Sequence, residues 1–334
     1  MIFRTAYLTN IHSVFFKSMR HSMRIARKMQ SQSESHKSKI MARGLPKKTP
    51  IDGVKNIILV SSGKGGVGKS TISVNLALAL KHIRPTKNVG LLDSDVFGPS
   101  IPLMMNLAEI PQINDDKMIE PLQNYGIKCM SMGFLMEPGA PIIWRGLMVM
   151  QALQKLMRGV NWKETDYLIV DTPPGTGDTH LSLIQNLPIT GVILVTTPQV
   201  AALQVTERGA NMLNKLSVPI IGILENMTST VCPNCSTEIS LFGTKTKDLA
   251  NAINCIILER LPLENYISES NDRGTPIVIE NPDHPVSASF KRLAKNVVDF
   301  CDNKSRITPY FVNFFLKVLP SRFTDSGLQT LLFA

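Results

Sequence analysis

The chain has 334 residues, 43% hydrophobic and 19% charged, enough to bury one large core. Its net charge of +10 is confined to residues 1–50, which hold eleven Lys and Arg against the single acid Glu34. The rest is neutral, so nothing in the bulk charge suggests nucleic-acid binding, and none is expected. Residues 1–42 are rich in Arg and Ser and carry Phe3, Tyr7, Ile11, Val14 and Phe15 at helical spacing. They read as a mitochondrial transit peptide, with the mitochondrial matrix as destination. A disordered basic arm on a cytosolic protein is the compositional alternative.

A Pro- and Lys-rich linker leads into a domain expected over 43–302. Strands are predicted over 57–62, 89–93, 127–132, 167–171, 191–197, 219–225 and 256–261. Helices are predicted near 69–81, 146–157, 201–216 and 285–302. Strands alternating with helices predict an α/β fold, a doubly wound and mostly parallel sheet. Ligands of such a sheet gather at the carboxyl ends of its strands. No apolar stretch is long enough to predict a spanning helix. Residues 303–334 form an atypical apolar tail that would permit peripheral membrane contact.

Between the first strand and helix lies Gly63-Lys64-Gly65-Gly66-Val67-Gly68-Lys69-Ser70-Thr71. The spacing is that of a phosphate-binding P-loop. Its glycines free the backbone so that successive N–H groups can face a phosphate, and the following helix adds its positive end. Lys69 is expected on the β- and γ-phosphates of ATP and the Ser70 hydroxyl on Mg²⁺. Asp171 ends an apolar strand and is expected at the same metal. The loop Pro173-Pro174-Gly175-Thr176-Gly177-Asp178 after it could reorient when a γ-phosphate arrives. Asp93 and Asp95 follow the second strand. Asp95 is the candidate for orienting or deprotonating the attacking water, and Asp93 is expected near Mg²⁺ or Lys69. Turn or cap aspartates are the plain alternative.

The five cysteines, an odd number, argue against a disulfide framework. Cys129 and Cys255 lie in apolar segments and read as buried thiols. Cys232-Pro233-Asn234-Cys235 can share a metal, but a closed zinc or iron–sulfur site takes four such ligands. Two pairs meeting on a homodimer axis would supply them. Zinc and iron both remain open.

The P-loop with Lys64 resembles the deviant loop of the MinD/ParA/Mrp class. The segments Gly90-Leu91-Leu92-Asp93-Ser94-Asp95-Val96-Phe97-Gly98-Pro99-Ser100, Cys129-Met130-Ser131-Met132-Gly133-Phe134-Leu135, Asp171 to Asp178, Glu225-Asn226-Met227 and the cysteine pair are similar to those of the Mrp/NBP-type P-loop ATPases. That resemblance implies slow ATP hydrolysis and a homodimer in which Lys64 contacts the other subunit's nucleotide. It implies Asn226 at the adenine, and a labile [4Fe–4S] cluster handed to recipient proteins, respiratory complex I among them. A MinD/ParA-like positioning ATPase with a structural zinc is the alternative function. The chain departs from the family pattern at Val200 and Val205, where acids are usual.

Overall fold

The computed structural model describes residues 48–136, 146–175 and 177–318. The basic leader and the segment 319–334 lie outside them. Ten strands are found among the described residues: β1 (Val54–Ser62), β2 (Val89–Asp93), β3 (Leu122–Asn124), β4 (Ile127–Ser131), β5 (Thr165–Asp171), β6 (Gly191–Thr196), β7 (Ile220–Glu225), β8 (Ser229–Val231), β9 (Glu238–Ser240) and β10 (Ile257–Arg260). Eight form one sheet in the order β10-β7-β6-β1-β5-β2-β4-β3, parallel throughout except where β3 meets β4. The remaining two, β8 and β9, form a separate hairpin.

The helices are α1 (Lys69–Ile83), α2 (Ile101–Met104), α3 (Gly146–Arg158), α4 (Asp178–Asn186), α5 (Val200–Lys215), α6 (Thr246–Ala252), α7 (Asn265–Asp272), α8 (Ile277–Glu280) and α9 (Pro285–Val318). The doubly wound expectation holds. Every residue of β2, β5 and β6 is buried, as continuous apolar runs in a parallel sheet covered on both faces require. Burying each such Val, Ile or Leu contributes roughly 1.5–3 kcal/mol, which is why these strands occupy the centre.

The order reverses at β1, which has β6 on one side and β5 on the other. This is the topological switch point, where a crevice opens beyond the strand ends. Register decides what faces it. Val60 of β1 pairs with Asp171 of β5, and Asp171 pairs with Asp93 of β2. The two carboxylates therefore sit side by side at one level, with the P-loop springing from β1 just above.

Two local readings are corrected. The last helix does not stop at 302 but continues to Val318, so part of the tail expected beyond 302 is helical. Apolar residues at 307, 311, 314, 315 and 318 keep the helical period there. Cys255 is not a buried strand residue. It is half-exposed in the turn between α6 and β10, where Asn254 takes a left-handed φ of 51°. Cys129, in β4, is fully buried.

Candidate functional site

The turn from β1 into α1 needs glycine. Gly66 and Gly68 have φ of 77° and 86°, in the left-handed region. A Cβ on Gly68 would also run into the Asn226 amide. Val67 is buried and its carbonyl accepts a 2.8 Å bond from Asn226 Nδ2, which ties the loop to the end of β7. Gly63 packs its backbone on Thr206 and Val205 of α5, so the valine that departs from the family pattern touches the start of the loop. Gly65 and Gly66 have open space where a side chain would be.

Lys69 and Ser70 open α1 and converge on Asp171. Lys69 Nζ lies 2.8 Å from Asp171 Oδ1, with side-chain exposures of 7% and 0%. Ser70 Oγ donates to Asp171 Oδ2 at 2.6 Å, and Ser73, on the same helix face, donates to Oδ1 at 2.7 Å. A buried carboxylate is thus balanced by one cation and two hydroxyls, as burial of a charge demands. The Ser70 hydroxyl beside the Asp171 carboxylate is a hard oxygen set of the kind Mg²⁺ takes. Ser73 escaped the sequence reading, although its spacing of three from Ser70 puts it on the same face.

Asp93 is buried. It accepts from the backbone N–H of Asp95 at 3.1 Å and from Ser131 Oγ at 3.0 Å. Burial and the Asp171 charge push its carboxyl up to about 7, against the Ser131 hydrogen bond and the charge of Lys69. Asp95 is half-buried. Burial raises its pKa too, and Lys69 opposes that. Ser94 between them donates to the Asp171 carbonyl through N (2.9 Å) and Oγ (2.6 Å), clamping this loop to β5. His180 of α4 is also buried, its Nε2 3.0 Å from Ser61 Oγ and its Nδ1 without a partner among the described residues. Burial and the nearby Lys69 charge depress it to about 4, so it is neutral at physiological pH. Nothing in the sequence singled it out.

Lys64 stands apart from this cluster. It is exposed and donates to Gln199 Oε1 at 3.3 Å, at the start of α5. Asn226 and Gly68 line a cavity of about 180 Å³ with Met227, Leu261, Pro262 and Asn271. Thr71 lies on the same cavity and its Oγ1 accepts from Asn271 Nδ2 at 3.3 Å. The walls from 261–263 and 271 had no motif to announce them.

The chain then leaves the cavity directly into β8. Met227 turns it with a φ of 58°, and Thr228 donates through N and Oγ1 to the Leu261 carbonyl, at 3.0 and 3.1 Å. The β8–β9 hairpin carries the cysteine pair at its tip. Cys232 and Ser236 close the turn through Cys232 N to Thr237 O and Ser236 N to Cys232 O, both 2.9 Å. Cys232 is half-buried and Cys235 exposed. The Thr237 hydroxyl, 3.3 Å from Cys235 Sγ, holds that thiol below the usual thiol range. No helix opens at the pair, unlike a redox pair that relies on a helix dipole. Among the described residues, no His, Cys, Asp or Glu joins the cysteines to make a group of three.

A family model described as "ParA: NUBPL iron-transfer P-loop NTPase" matches residues 53–298. The iron-sulfur cluster transfer protein NUBPL of Mus musculus is 49% identical over 266 residues, 79% of this chain and 83% of that protein. An Arabidopsis thaliana protein named as an iron-sulfur protein required for NADH dehydrogenase, mitochondrial, is 47% identical, over 78% of this chain and 83% of the relative. Among solved structures, an Archaeoglobus fulgidus nucleotide-binding protein in complex with ADP superposes with a TM-score of 0.58 at 34% identity, covering 70% of this chain and 90% of that one.

Proposed function

Because the chain belongs to the NUBPL iron-transfer family of P-loop NTPases, we propose that this ATPase carries an iron–sulfur cluster and delivers it to mitochondrial recipient proteins, respiratory complex I among them. The observation that carries the reading is a contrast within one chain. Its phosphate site is fully furnished, while the cysteine pair at a surface turn supplies two of the four thiolates a [4Fe–4S] cluster takes. A homodimer with Cys232 and Cys235 of each subunit on the two-fold axis completes the set. Lys64, free of the Asp171 cluster, then reaches the nucleotide of the other subunit. Thiols at a surface turn suit a cargo that must leave. The names of the mouse and plant relatives support cluster transfer over the positioning reading.

For hydrolysis, the loop from Gly63 to Thr71 wraps the phosphates and Lys69 supplies the charge. Ser70 and Asp171 would hold Mg²⁺, which offsets phosphate charge when bound. Asp95 orients the water for attack on the γ-phosphorus as the bond to the β–γ bridging oxygen breaks. Asn226 and the cavity beside it receive the adenine. Residues 1–42 direct the protein to the mitochondrial matrix.

Anaerobic reconstitution of the full chain with iron and sulfide, followed by metal analysis and mass measurement, tests the cargo site. About four irons per dimer are expected from the four-thiolate requirement. One zinc per dimer that iron does not displace, or four irons in an isolated monomer, overturns it. Asp95→Ala should bind ATP and lose hydrolysis, and native turnover would remove Asp95 from the role.

A further inference from the structure

The register that aligns Asp171 with Asp93 continues one strand further. Asp93 of β2 pairs with Ser131 of β4, so Asp171, Asp93 and Ser131 stand in a row across three strands. The Ser131 side chain is wholly buried and its hydroxyl is used twice. It donates to Asp93 Oδ2 at 3.0 Å and accepts from the backbone N–H of Gly133 at 3.0 Å. The second bond opens a 3-10 turn, Met132–Leu135, directly after the strand. That turn packs under the loop bearing Asp95. A Cβ on Gly133 would lie 2.8 Å from Pro102 Cγ and 3.3 Å from Pro99 Cβ.

Asp93 passes the constraint on. Its Oδ1 accepts from Asp95 N at 3.1 Å, and its Oδ2 also accepts from Ile101 N at 3.4 Å. Both ends of the Asp95 loop thus hang on one carboxylate, and Ser131 is the one side-chain hydroxyl that donates to that carboxylate among the described residues. We propose that Ser131 is a positioning residue for ATP hydrolysis: it fixes Asp93, and through Asp93 the backbone that aims Asp95 at the phosphate site. The proposal rests on the role given to Asp95 above. It touches neither the P-loop nor the adenine cavity, so it separates turnover from binding.

Steady-state ATPase kinetics and direct ATP binding on the full chain test it. Ser131→Ala should lower kcat about 10-fold, the scale expected when a reacting group is misaimed by a fraction of an ångström. KM and ATP affinity should stay within about twofold of native, because the groups that bind the phosphates are untouched. Ser131→Cys, similar in shape but a weaker donor, should fall between the two. Asp95→Ala combined with Ser131→Ala should turn over no more slowly than Asp95→Ala alone, since both act on one step. Should Ser131→Ala fail to fold, Gly133→Ala gives the same readout, because its new methyl pushes on Pro102 from below the same loop. A native kcat in the folded variant, a loss shared equally by ATP affinity, or losses that multiply in the double variant would overturn the proposal. Asp95→Ala inactive with Ser131→Ala at the native rate removes only this proposal. Asp95→Ala at the native rate removes the Asp95 assignment, and this one with it.

Discussion

The phosphate site, drawn from residues 63–73, 93–95 and 171, and the cysteine hairpin at 229–240 are built in opposite ways. The Asp171 carboxylate is wholly buried and its oxygens are matched by Lys69, Ser70 and Ser73, its carbonyl by Ser94. The hairpin has two strands of three residues each, and of its cysteines Cys235 is exposed and Cys232 half-buried. A hairpin that short adds little stability of its own. One region is part of the core and does chemistry as a by-product of being folded. The other is a short surface hairpin with two free cysteines. Damage should therefore cost the fold in the first region and only the cargo in the second.

The sharpest break is Lys69→Ala. It removes the main charge for the phosphates and strands Asp171 in the core. ATP binding should vanish in calorimetry, and stability should fall by about 3–5 kcal/mol, the scale for a buried pair that loses one partner. A variant that melts like the native protein would show that the Asp171 site is less of a core feature than its burial implies.

Asp93→Asn probes the same region in the other direction. With a pKa near 7 in the folded chain against 3.8 ordinarily, Asp93 keeps a proton in the native state that the unfolded chain has released. Native stability therefore drains away as pH rises through that window. His180 has the reverse sign. Depressed to about 4 from 6.5, it costs stability as pH falls from 6.5 towards 4. Asp93→Asn should gain on the native protein as pH rises from 4 to 7, by on the order of a few kcal/mol. Thermal melts of both across that range would read it, and a constant difference between them would contradict it.

Gly68→Ala joins the two regions. A side chain there must adopt a φ of 86° and displace the Asn226 amide, from which the path to the hairpin begins. The strain should cost about 1–3 kcal/mol and weaken nucleotide binding. Gly65→Ala, with no neighbour within 4 Å, should cost less than half as much by the scale of ordinary glycine replacements.

The smallest structural effect is expected at the cysteines. Cys232→Ala and Cys235→Ala should remove bound iron while shifting stability by no more than about 0.5 kcal/mol and leaving ATP affinity unchanged. A large loss of thermal stability in the metal-free protein would mean the hairpin is more than an appendage.

The residue order announced the motifs. Glycines spaced for a phosphate loop, a lysine and a hydroxyl at the start of a helix, aspartates at strand ends and a Cys-x-x-Cys turn are local patterns, and local patterns are legible because spacing along a strand or helix is set by backbone geometry. The alternation of apolar runs likewise announced a parallel sheet. Which strand lies beside which was decided only in three dimensions, because pairing in a parallel sheet joins residues far apart in the chain. Asp171 meets Asp93 and Asp93 meets Ser131 through register alone. The cavity beside Gly68 joins Asn226 to 261–263 and Asn271 by tertiary packing, with no shared motif. His180 of α4 reached Ser61 of β1 in the same way. The Cys255 turn and the run of α9 to Val318 turned on a left-handed residue and on continued periodicity, both too local in their competition to be read from composition. What a side chain can do was written in its own spacing; what it does it to was set by the sheet that brought its partner alongside.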